Sequence, residues 1–140
     1  MKSKLSLICL VLFSYSCTNN IDEKDLPLLN GYWEIQKVTF PNGQTKDYTV
    51  NESIDYIEIE QLKGFRKKVK PNFNGSYITN DDAEFFTVFK KENQIFLNYK
   101  NDLSDWTESL KTLTKDQFSV TNEDDITYLY KRYEPINISK

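Results

Sequence analysis

The sequence predicts an all-β domain of short antiparallel strands joined by tight turns, closed as a barrel or folded as a sandwich. Three observations predict it. Tyr and Phe occur nine times each, and with Ile, Val and Thr they fall in short runs broken by Gly, Pro, Asn and Asp. No segment carries an apolar helical stripe longer than two turns. With no helices between them, strands spaced this regularly suit an up-and-down antiparallel sheet, and closing that sheet removes the exposed edges of an aromatic-rich chain.

Residues 33–40 form the first expected strand, ended by the turn Pro41-Asn42-Gly43, where Asn-Gly favours the positive φ of a tight hairpin. Residues 54–62 follow, with Ile57 and Ile59 alternating against Glu58 and Glu60, the clearest period-2 pattern in the chain. Lys63-Gly64 is expected to turn this strand into 65–70. A short strand at 73–78 contains Gly75, which permits a bend. Asn80-Asp81-Asp82 leads to 84–90, Lys91-Glu92-Asn93 to 94–99, and Asn101-Asp102 to 106–113. Lys115-Asp116 opens 117–121, and the acidic turn Asn122 to Asp125 opens 126–133. The total is about nine strands, one more than the eight of a small closed barrel.

The amino end has a different character. Met1-Lys2-Ser3-Lys4 precedes an apolar run at 5–13, then Ser14-Tyr15-Ser16-Cys17. The run is too short to span a bilayer and reads as an export signal. A cysteine at that junction resembles the lipobox of bacterial lipoproteins, although Ser14 stands where Leu is usual. The resemblance implies removal of 1–16, acylation of Cys17, for instance by palmitate, and a lipid-anchored protein of the bacterial cell envelope, with the outer membrane as the expected site. Residues 17–27 read as a polar tether and 28–140 as the β domain. The acidic residues after Thr18 resemble surface-export signals of Bacteroidetes lipoproteins; a plain solvated linker is the competing reading.

Composition narrows the chemistry. The chain has no histidine, and its two cysteines, Cys9 and Cys17, both lie in the expected signal and anchor. Histidine-based nucleophile activation, histidine general bases and His or thiolate metal ligands are therefore missing from the mature domain. Oxygen-ligand metal sites stay open, but neither acidic turn (Asp81-Asp82 with Glu84, or Glu123-Asp124-Asp125) has a calcium-loop spacing. No enzyme activity, cofactor or metal is expected. Formal charge is −3, falling to −5 once Lys2 and Lys4 leave, which argues against nucleic acid as a partner. Arg66-Lys67-Lys68 with Lys70 is the one basic cluster; it reads as a solvated strand protected from edge pairing, or as a contact for anionic head groups.

Leu29-Asn30-Gly31-Tyr32-Trp33-Glu34-Ile35 resembles the Gly-x-Trp signature of the first lipocalin strand. Bacterial lipocalin-like lipoproteins of the Bacteroidetes type begin this way, with a tether and then Leu-x-Gly-x-Trp. The resemblance implies an eight-stranded barrel in which Gly31 permits a tight entry, Trp33 closes one end, and a basic residue of the last strand lies over the indole. Arg132 is the first choice for that residue and Lys131 the second. It also implies an apolar or amphipathic ligand held inside. Ile35, Ile57, Ile59, Phe85, Phe89, Tyr99, Tyr128 and Tyr130 are the candidate lining residues, beside the reading that each simply packs the core. A second class of function is a filled barrel whose outer face binds a protein partner, with Tyr32, Phe40, Phe86 and Phe96 as candidate exposed aromatics.

Overall fold

The computed structural model describes residues 20–135; the expected signal, Cys17 and the last five residues lie outside them. The predicted all-β barrel is present. Ten strands form one antiparallel sheet: β1 (Gly31–Thr39), β2 (Thr45–Asp47), β3 (Ile54–Glu60), β4 (Lys63–Pro71), β5 (Tyr77–Thr79), β6 (Glu84–Lys91), β7 (Gln94–Lys100), β8 (Asp105–Leu113), β9 (Gln117–Thr121) and β10 (Thr127–Arg132). The sheet closes because β10 pairs with β1, from Trp33 opposite Arg132 to Thr39 opposite Thr127. β2 and β5 stand outside the closed wall, β2 alongside β1 and β5 alongside β4, which leaves eight strands around the barrel. β2 carries no strand signal in the sequence: Thr45-Lys46-Asp47 is exposed throughout and has no apolar alternation to mark it.

Register follows the pleat. In β3, Asp55, Ile57 and Ile59 share the inner face, and in β7 Ile95, Leu97 and Tyr99 do so. Bulges between Ile35 and Lys37 and between Leu110 and Thr112 bend the wall. The expected turn at Lys63-Gly64 lies two residues earlier, at Gln61-Leu62, with Gln61 at φ 54° and Lys63 already paired with Glu60. Gly64 has another role. A Cβ there would lie 2.5 Å from the Phe86 ring, so its missing side chain makes room for that ring inside the barrel.

One end of the barrel is closed. Glu23–Leu29 forms a 3-10 helix whose Leu26 and Leu29 join Ile21 in the main core beside Trp33. This corrects the expected boundary: residues 21–27, read from their polar composition as tether, are part of the fold. The charged run Asp22-Glu23-Lys24-Asp25 gives the segment its polar character, while the apolar residues that bury it, Ile21, Leu26 and Leu29, flank that run. The Asp25 carboxylate accepts a 3.2 Å hydrogen bond from the Asp22 N–H, which fixes the entry to this helix.

Gly31, Trp33 and Arg132 then lock the helix to the barrel. The Trp33 indole N–H donates to the Leu29 carbonyl at 2.8 Å. The Arg132 guanidinium lies 3.7 Å from the centroid of the Trp33 ring. It also donates to the carbonyls of Asn30 (2.7 Å), Leu28 (2.9 Å) and Lys115 (2.9 and 3.1 Å). Gly31 sits at φ 119°, and a Cβ on it would come within 2.8 Å of the Arg132 guanidinium. Lys131, the alternative basic residue, instead pairs with Glu34 at 3.0 Å.

Candidate ligand site at the open end of the barrel

The inner faces of the strands divide into an apolar half and a charged half. Near the closed end, Trp33 meets Phe118 edge-on at 4.7 Å, and Phe118 stacks on Tyr130 at 4.7 Å. Ile57, Ile59, Phe86, Val88, Ile95, Leu97, Tyr99, Leu110 and Val120 fill the space around them. Of the candidate lining residues, Ile57, Ile59, Tyr99 and Tyr130 are buried in this packed core, while Ile35 and Tyr128 are half-buried against its edge.

Phe85 and Phe89 are corrections. They are 64% and 42% exposed and face outward, and Phe86 and Val88 take the interior instead. Both faces of this strand are apolar, so sequence alternation alone could not choose. Register decides it: Phe86 lies opposite Gly64, the one position whose missing side chain admits a ring. Phe86 is therefore also removed from the candidate outer aromatics. Phe85 instead joins an outer file of rings, with Phe65 at 6.1 Å, Tyr56 next at 6.0 Å, then Tyr32 at 4.9 Å and Tyr77 stacked on Tyr32 at 4.2 Å. Phe40 is exposed on the strand-leaving turn, and Phe96 stacks on Phe89 outside the wall at 5.2 Å.

Towards the open end the interior becomes ionic. Pairing of Asp55 with Lys68, Arg66 with Glu84, and Leu97 with Glu108 brings five charged side chains onto the inner face, from the adjacent strands β3, β4 and β6 and from β8 beyond β7. Arg66 is central and its side chain is only 13% exposed. Its guanidinium lies 3.6 Å from Glu108 on one side and 3.6 Å from Glu84 on the other, both beyond hydrogen-bond length. It also lies 4.9 Å from the centroid of the Tyr99 ring, which stacks on Trp106 at 5.0 Å. Lys68 Nζ reaches Asp55 Oδ1 at 2.8 Å, an ion pair in which the carboxylate side chain is 3% exposed and the lysine largely solvated.

This cluster is not self-sufficient. Among the described residues, Glu108 Oε2 has no hydrogen-bond partner, and its side chain is only 8% exposed. Burial pushes the Glu108 carboxyl above its ordinary range, and the attraction of Arg66 offsets that only in part. Burial works against the charge on Arg66, yet the acidic groups around it, Glu108 and Asp55 among them, hold its pKa above the usual arginine value. Burial likewise raises the Tyr99 and Tyr130 phenols, so both stay neutral. A groove of about 500 Å³ opens beside the cluster, lined by Asp55, Arg66, Lys67, Lys68, Glu84 and residues of the 80–83 and 101 loops.

Arg66 and Lys68, expected in a solvated basic stretch, instead face inward with Asp55 and Glu108, which residue type alone does not single out. The signal was present in the alternation. Asp55 is in phase with Ile57 and Ile59, and Glu108 is in phase with Trp106 and Leu110. In Gly64-Phe65-Arg66-Lys67-Lys68 the two phases are both unattractive inward choices, and only the pairing with β3 and β6 settles them. Cys17 lies outside the described residues.

Among solved structures, the chain resembles a crystal structure of a lipocalin-like protein from Bacteroides uniformis, with 12% identity, 76% of this chain and 99% of that chain covered, and a TM-score of 0.47. No protein-family model and no curated protein matches the sequence. The closed barrel therefore rests on the strand pairings of this chain.

Proposed function

We propose that this chain is a non-enzymatic binding protein that takes a small amphipathic molecule at the open end of its barrel, while a lipid on Cys17 tethers it to the bacterial envelope, in the outer membrane. One observation carries the ligand part: Arg66, Glu108 and Asp55 are buried on the inner wall, Glu108 Oε2 has no hydrogen-bond partner among the described residues, and a groove lined by Asp55 and Arg66 opens beside them. Buried ions incompletely paired cost folding free energy, so their placement beside an entrance suits recognition better than scaffold stability. The tightly packed lower core leaves the ligand's polar group near the ions and its apolar part against Ile35, Trp106 and Tyr128 at the rim. The anchor part is motivated by the Lys2–Lys4, apolar run and Cys17 order in the sequence.

Native mass spectrometry of protein purified from its host membranes tests the ligand part, with a retained small molecule expected and a bare mass contradicting it. Cys17→Ala should move the protein to the soluble fraction; membrane retention of that variant would refute lipidation.

A second reading, a docking module for a protein partner, is favoured by the outer file of Phe85, Phe65, Tyr56, Tyr32 and Tyr77. Cross-linking in envelopes tests it: Tyr32→Ser with Phe85→Ser should abolish a cross-linked species, whereas an Arg66 variant should not.

A further inference from the structure

We propose that the ligand of the open-end site carries an organic cation, an ammonium head on an apolar body, rather than a carboxylate or phosphate. This rests on the ligand-binding reading above and narrows it. The inward-facing charges at this end are Asp55, Glu84 and Glu108 against Arg66 and Lys68, which leaves one negative charge uncompensated. The groove wall adds Lys67 and Asp82, one charge of each sign, which leaves that balance unchanged.

A buried arginine alone would invite an anion. Here Arg66 already has a carboxylate on each side, at 3.6 Å from Glu84 and 3.6 Å from Glu108. A ligand carboxylate would bring a fourth negative charge beside two cations in a poorly solvated space, where like charges repel strongly. A ligand cation would neutralise the surplus instead. Aromatic rings lie close by: Tyr99, with the Arg66 guanidinium 4.9 Å from its centroid, stacks on the half-buried Trp106 at 5.0 Å, and aromatic faces attract ammonium groups. Tyr99 and Tyr130, kept neutral by burial, contribute rings and hydroxyls without changing the charge count.

The test is calorimetric titration of the intact domain at neutral pH with three probes sharing a decyl tail, each below its micellar concentration: decyltrimethylammonium, decanoate and monodecanoylglycerol. Decyltrimethylammonium is expected to bind about tenfold or more tightly than decanoate. Glu108→Gln should lower its affinity about threefold to tenfold while leaving monodecanoylglycerol unchanged. Since a buried substitution can perturb folding, Glu84→Gln at the half-exposed mouth should show the same selective loss, smaller in size. Decanoate or the neutral probe binding as tightly as the cation would overturn the charge assignment and leave the ligand-binding reading standing. No binding by any of the three would overturn both.

Discussion

The guanidinium of Arg132, at the end of the last strand, lies 3.7 Å from the ring centroid of Trp33, near the start of the first. That contact joins the two strands whose pairing closes the barrel, and through the carbonyls of Leu28 and Asn30 it holds the closing helix as well. Arg132→Ala removes the charge-assisted hydrogen bonds and the ring contact together, and should cost about 2–4 kcal/mol of folding free energy. Arg132→Lys should recover little of it, because an ammonium cannot reach three separate carbonyls with a planar fork. Urea unfolding of both variants measures this; equal stability of Arg132→Lys and the natural protein would contradict the geometry.

Gly31 is required by the same contact. Gly31→Ala imposes a left-handed φ of 119° on a residue with a Cβ and pushes that Cβ to 2.8 Å from Arg132. A loss of about 1–3 kcal/mol is expected in the same assay. Combining Gly31→Ala with Arg132→Ala should be less than additive, since the second change removes the clash.

The folded domain starts before Leu28. Leu26 is buried under the barrel, so Leu26→Ala should destabilise by about 2–4 kcal/mol. A chain beginning at residue 28 should unfold at markedly lower denaturant than one beginning at residue 20. Equal midpoints would return residues 21–27 to the role of a passive tether.

Inside the barrel, a Cβ on Gly64 would lie 2.5 Å from both the Phe86 ring and the Glu58 carbonyl, so Gly64→Ala should cost about 1–3 kcal/mol, and Phe86→Leu should recover only the part due to the ring. Rescue by the outward Phe85→Leu instead would contradict the register.

Much of this fold could be read from the chain. The period-2 pattern around Ile57 and Ile59, the Asn42-Gly43 turn, and Gly31, Trp33 and Arg132 lie where local chemistry speaks without help from distant residues. The site was largely hidden for the opposite reason. Arg66 follows a phenylalanine and precedes lysines, and local pattern assigns such a segment to solvent. Only cross-strand register places it beside Glu84, Glu108 and Asp55. The strand of Phe85, Phe86 and Phe89 has the same difficulty, being apolar on both faces and oriented by a glycine on its neighbour.

Glu108 gives the domain a pH signature. Its carboxyl is raised by burial, so the folded state holds this proton to higher pH than the unfolded chain does. Stability from this group is therefore greatest at acid pH and declines as pH climbs from the ordinary carboxylate value through the raised one. Urea midpoints of the natural protein and Glu108→Gln, taken across the mildly acidic range, should converge in pH dependence elsewhere and differ in slope within that window. Identical slopes would contradict a raised carboxyl.

The most direct measurement is an amide and indole shift map of the domain titrated with decyltrimethylammonium. Perturbations are expected at Asp55, Arg66, Glu84, Trp106 and Glu108, with the Trp33 indole N–H unmoved at the closed end. Shifts confined to the outer file of Tyr32, Tyr56, Phe65 and Phe85, or no shifts at all, would contradict a ligand site at the open end of the barrel.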